Sequence, residues 1–224
     1  MKKVLLLVLV SMLFSAHARS DDPEWYIGLG IAATKLDAGD VDFTASNGTA
    51  FTGDLGGNAN GWHVFCGIDF TEHFGFEAKY SDSGEAKSTL AVFDPIFGIS
   101  SSEARASIDG FTVYDTGNIS FTQSLSGMGK LGYTSQDFSL AIRSASSAIR
   151  EDGLAFGVGL RYRFKKWALG GEIEYWDIDL GRFDEPLRFT LNIEHHFGTK
   201  NRQEHASKIE SRPVSPRLVS SLSP

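Results

Sequence analysis

Residues 153–164, GLAFGVGLRYRF, alternate strictly. Leu154, Phe156, Val158, Leu160, Tyr162 and Phe164 are large and apolar, and between them stand Ala155, Gly157, Gly159, Arg161 and Arg163. A period of two marks a strand with unlike faces. The same period predicts further strands near 24–35, 61–70, 74–82, 106–120, 125–137, 167–178 and 186–197, eight in all. Seven have one apolar face. The stretch 106–120 has none, because Phe111, Val113 and Ile119 share a side with Asp115. The connections alternate in length. TEH (71–73), FTQS (121–124) and KK (165–166) are short, whereas 37–60 and the segment after 82 are long and read as polar loops, with a medium loop after 137.

The faces are assigned the opposite way from a soluble sheet. Two arginines on a lipid-facing strand would each cost about 2–4 kcal/mol near the midplane, so Arg161 and Arg163 turn inward and the large apolar residues outward. Lys2 and Lys3, an apolar run and Ala16-His17-Ala18 mark 1–18 as a signal peptide. No later run reaches the roughly 18 apolar residues of a spanning helix. A single cysteine, Cys66, excludes an internal disulfide framework, and a net charge of −7 offers no footprint for nucleic acid. Exported, uncrosslinked, with 24 glycines and 17 phenylalanines, the chain is expected to be all-β. The expected fold is an eight-stranded antiparallel up-and-down transmembrane β-barrel over 19–197. Short turns then lie in the periplasm with both termini, and long loops lie outside.

Several segments carry a family resemblance. GWHVFCGIDFTEHFGFEAKYSDSGEA (61–86) resembles the second and third strands of small outer-membrane barrels of the OmpA-like and opacity-porin type. GMGKLGY (127–133), GVGLRYRF (157–164) and EYWDID (174–179) are similar to the fifth, sixth and seventh strands, in order. LRFTLNIEHHF (187–197) resembles the last, whose terminal aromatic, here Phe197, the resemblance makes the assembly signal. It implies a bacterial outer-membrane location, contact with lipid and lipopolysaccharide, and recognition by the barrel-assembly machinery. It does not imply one function, since such barrels serve as structural anchors, narrow pores, adhesins and surface antigens. The chain departs from the pattern at its end: residues 198–224 follow Phe197 as a polar tail with the composition of a disordered segment. Its Lys200, Arg202, Lys208, Arg212 and Arg217 leave a basic contact with periplasmic partners open.

By alternation, Asp69, Glu77, Glu172, Glu174 and Glu194 face the lumen with Lys79, Lys130, Arg161, Arg163 and Arg188. Five acids against five bases suit mutual pairing, with Arg161 and Arg163 against carboxylates such as Glu172 and Glu174. The alternatives are a structural plug and an ion path. Trp25, Trp62, Phe70, Phe74, Tyr80, Tyr133, Phe164, Trp167 and Tyr175 are placed in aromatic girdles, with Trp62 and Trp176 open to stacking on sugars. His195 and His196 point to opposite faces and cannot converge on one ion, so no metal site is expected. No nucleophile stands near a base, and the paired glycines, with no helix after them, are not phosphate loops. No catalysis and no cofactor are expected; any surface ligand is left open, with adhesion through the first two outer loops as one reading.

Overall fold

The computed structural model describes residues 23–44, 48–96, 98–142, 145–178 and 186–197; the segment expected to be a signal peptide (1–18) and the one expected to be a tail (198–224) lie outside them. Eight strands follow in order: β1 (Glu24–Thr44), β2 (Ala50–Asp69), β3 (Phe74–Asp94), β4 (Gly98–Ser120), β5 (Leu125–Ile142), β6 (Ala145–Phe164), β7 (Trp167–Asp177) and β8 (Leu187–Phe197). Each pairs antiparallel with the next, and β8 returns to β1 to close the barrel. Trp25 pairs with Phe197 at one end of that seam and Lys35 with Leu187 at the other. Along the span that all eight strands share, closure leaves no free edge, which a hydrocarbon setting demands.

The wall is apolar outside. Trp25, Ile27, Leu29 and Ile31 are exposed along β1, while Tyr26, Ala32 and Thr34 between them are buried. Outward aromatics gather at two levels. Trp25, Phe74, Phe164, Trp167 and Phe197 lie at the short-turn end, with Phe70 half-buried beside them. Trp62, Tyr80, Tyr133 and Tyr175 lie toward the other end. Just beyond this second level the outer face turns acidic, with Asp82, Asp109 and Asp137 side by side on β3, β4 and β5. The mixed face of β4 is real: Asp115 points outward, between its cross-strand partners Phe76 and Leu131.

The long loops expected at 37–60 and after 82 are instead strands. β1 runs on to Thr44 and β2 begins at Ala50; β3 continues to Asp94, β4 begins at Gly98, and β5 and β6 likewise extend to Ile142 and back from Ala145. Their alternation is hidden by a bulge. Asp82 pairs with Asp109 but Glu85 with Ser107, so Ser83 and Gly84 together oppose Ile108. Gly84 takes φ +70° there, and the Ile108 amide donates to Ser83 Oγ. Inward positions shift from Lys79, Ser81 and Ser83 to Ala86, Leu90 and Val92. The slip keeps Leu90 and Val92 inside, where an unbroken period of two would expose them.

Candidate functional site

The lumen is filled in layers. Nearest the short turns, Arg161 Nε lies 3.0 Å from Glu194 and its Nη1 3.9 Å from Asp69. Arg163 Nη1 lies 2.9 Å from Glu24, and its Nη2 donates to His196 Nδ1 at 3.1 Å. The expected partners Glu172 and Glu174 do not meet either arginine. Register explains this: Arg161 stands opposite Gly170 and Arg163 opposite Ala168. These small β7 residues let both side chains pass over to β8, β1 and β2. Glu24 is a lumen acid that the alternation of 24–35 contains but that sequence reasoning missed.

Above this layer, two lysines and three glutamates form a chain. Lys130 lies 2.8 Å from Glu77 and 2.9 Å from Glu172. Lys79 lies 3.3 Å from Glu172 and hydrogen-bonds Glu174. Tyr26 donates to Glu77 at 3.2 Å, Asn192 Nδ2 to Glu172 at 2.6 Å, and Tyr114 to Glu174 at 3.3 Å. All five charged groups are buried. The Phe65 and Tyr114 rings flank both ammonium groups at 5.5–5.8 Å. Space for the Phe65 and Tyr26 rings comes from glycines directly across the ladder. A Cβ on Gly28 would sit 2.2 Å from the Phe65 ring, and one on Gly67 2.2 Å from Tyr26. Gly28 therefore makes room for an aromatic ring.

Arg188 lies next, fully buried, with its guanidinium 5.4 Å from the Trp176 ring and Nη2 donating to the Trp62 carbonyl at 3.3 Å. Its Nε and Nη1 have no hydrogen-bond partner among the described residues. Trp176 is 1 % exposed, so it is part of the lumen and not a surface for sugars. His63 also turns inward and bonds Asn192 at 2.6 Å. Above these the lumen turns apolar: Leu36, Ile108, Phe138 and Ile178 pack with Ala59, Ala86, Ala106 and Ala155. Leu90 and Ala104 form a further apolar group nearer the hairpin tips, with Phe51, Leu140 and Ile142 against it. Ala59, Ala86, Leu90 and Phe138 come from segments expected to be loops, whereas Ile108, Ala155 and Ile178 lie within expected strands.

The two terminal histidines face opposite ways. His195 points outward and packs edge-on against Trp167 and Phe197. His196 is buried, with Nε2 3.1 Å from Glu194 and Nδ1 3.1 Å from Glu24. Ligand atoms of Glu24, Asp69 and His196 all lie within 4.8 Å of one another, a spacing that could hold a cation. Beyond the apolar band, partial burial and then the carboxylates of Asp137 and Asp82 hold the Asp109 carboxyl above its ordinary value. The bonds from Arg150 hold that of Asp137 below its own.

A closed ring of eight antiparallel strands, apolar outside and charged within, defines a transmembrane β-barrel. The chain matches the outer membrane protein beta-barrel domain family over residues 4–197 and belongs to it; its place is the bacterial outer membrane. OprG of Pseudomonas aeruginosa is similar in structure, with a TM-score of 0.54 at 16% identity over 79% of this chain and 96% of that one. So is Ail, the attachment invasion locus protein of Yersinia pestis, solved with the heparin analogue sucrose octasulfate. Its TM-score is 0.50 at 15% identity, over 79% and 99% of the two chains. Neisserial surface protein A gives 0.50 at 12% identity, over 77% and 97%. At such identities the likeness is one of fold. No curated protein sequence matches the chain.

Proposed function

We propose that this barrel is sealed and non-catalytic, with an envelope-structural role and its contacts made at the outer surface. Its short-turn end faces the periplasm. The observation that carries the reading is the stacking of two unlike barriers. An ion entering from outside would first lose its hydration among Leu36, Ile108, Phe138 and Ile178, and then meet the Glu77–Lys130–Glu172–Lys79–Glu174 chain, whose bonds it would have to break. The two buried histidines are engaged by Asn192 and by Glu24 and Glu194 rather than by a hydroxyl nucleophile, which supports a role without catalysis. Trp25, Trp62 and the other girdle residues would hold the barrel at lipid and lipopolysaccharide level, and Phe197 would be read by the barrel-assembly machinery.

Planar-bilayer recording of the refolded protein tests the seal. A quiet membrane with demonstrated insertion is the expected result; discrete conductance steps would favour the narrow-pore alternative. Adhesion remains the second reading, favoured by Phe93, Ile96 and Ile99, which stand exposed at the β3–β4 tip. The sulfated ligand of Ail does not carry over readily, because the outer foot of this barrel presents Asp82, Asp109, Asp152 and Asp177.

A further inference from the structure

We propose that the periplasmic mouth of the barrel is a binding site for a divalent transition-metal ion of the Zn²⁺ type, held by Glu24, Asp69 and His196. The three come from β1, β2 and β8 and meet at the seam where the last strand closes on the first. Their ligand atoms lie within 4.8 Å of one another, close enough for small adjustments to bring them to one ion. One imidazole nitrogen with two carboxylates is a donor set that Zn²⁺ accepts, leaving a fourth position for water.

Two further features favour a built site over a chance cluster. His196 Nε2 lies 3.1 Å from Glu194 Oε2, so the ring can donate to a buried carboxylate while Nδ1 faces Glu24. A ligating histidine is normally oriented in this way by a carboxylate on its other nitrogen. Asp69 Oδ1 is buried and has no hydrogen-bond partner among the described residues. The carboxylate therefore keeps an unused acceptor, while its Oδ2 faces Arg161.

Arg163 is the competitor, 2.9 Å from Glu24 and 3.1 Å from His196. Its side chain is the most exposed of the lumen cations at 24 %. It can swing toward the periplasm, which Arg161, at 3 % exposure, cannot. Charge favours the exchange. With His196 neutral, as ligation requires, Glu24, Asp69 and Glu194 exceed Arg161 and Arg163 by one negative charge. A divalent ion in place of Arg163 balances the cluster. Arg163 thus acts as a displaceable plug, and the ion staples β1, β2 and β8.

The test uses the full mature chain, refolded without a polyhistidine tag and stripped with chelator, with Zn²⁺ as titrant and Co²⁺ as spectroscopic stand-in. One equivalent of Zn²⁺ should bind by calorimetry and raise the urea midpoint, and Co²⁺ should give visible bands of low-symmetry N/O coordination. Arg163→Met should tighten binding, Glu24→Gln should weaken it, and Glu194→Gln should weaken it about 10–100-fold. A purely structural cluster predicts the reverse for Arg163→Met: lower stability and no gain in affinity. Absence of binding in both wild type and Arg163→Met would overturn the proposal. So would equal affinity across all variants with loss in His73→Ala, which would move the ion to the exposed His73 and Glu72. The bilayer recordings of the seal do not depend on either outcome.

Discussion

Arg161 and Glu194 meet at 3.0 Å across β7, although their strands are not neighbours in the wall. Gly170 and Ala168 on β7 leave the gap that the guanidinium crosses. Among the described residues, removing Arg161 leaves Glu194 with His196 alone in contact, and breaking a buried pair from one side costs up to about 3–5 kcal/mol. Arg161→Leu combined with Glu194→Leu should recover much of that loss, whereas Arg161→Leu with Glu172→Leu should not. Urea unfolding in lipid vesicles compares Arg161→Leu and the two double variants with wild type. Equal recovery by both double variants would refute the pairing.

A Cβ on Gly67 falls 2.2 Å from the Tyr26 ring, which in turn holds Glu77. Gly67→Val should therefore destabilise by about 1–3 kcal/mol through overpacking. Tyr26→Ala in the same chain should relieve that strain. If the double variant is less stable than wild type by the full sum of the two single effects, the two residues do not collide.

The membrane-spanning part of the fold was legible because one side of every strand is solvated by lipid. Leu154 to Phe164 can satisfy that condition in only one register, and the charges of the other face then follow into the lumen. Which charges meet was not legible. Arg161 reaches Glu194 and Asp69 because of residues opposite it on β7, and that depends on how the closed ring staggers its strands. The hairpins above the membrane read as loops for a different reason. Glycine, aspartate and serine are frequent there, and the bulge at Ser83 and Gly84 breaks the period that would have disclosed Leu90 and Val92. Ala59, Ala86 and Phe138 of the apolar cap were hidden in the same way, whereas Ile108, Ala155 and Ile178 stood in expected strands with nothing in the sequence to show that they meet. Glu24 was overlooked because it stands one residue before the first apolar position of β1, where a strand start and a loop end look alike.

Phe197 ends β8 opposite Trp25 and contacts His195 on the outer wall. Its side chain is exposed, so truncation removes little internal packing. Phe197→Ala should leave the refolded barrel nearly as stable as wild type yet slow its assembly in cells. Removal of 198–224 should leave both unchanged. Pulse-chase of heat-modifiable, folded protein in the outer membrane separates these cases. Equal assembly rates for wild type and Phe197→Ala would remove the terminal aromatic from the assembly step.

Phe138 belongs to the apolar cap, and Lys130 with Glu172 to the charged layer beneath it. Two barriers in series must both fail before ions cross. Phe138→Ala opens a cavity in the cap and should cost about 3–5 kcal/mol, as buried phenylalanine truncations do, without producing conductance. Lys130→Ala with Glu172→Ala removes a bonded pair together and should also stay closed, because the cap above remains dry. Only the triple variant should show steady single-channel steps. Since Glu77 and Glu174 then outnumber Lys79, the open path should prefer cations. Conductance from Phe138→Ala alone would mean that the ion-pair layer does not seal the lumen, and conductance from the double variant alone would mean the same of the cap.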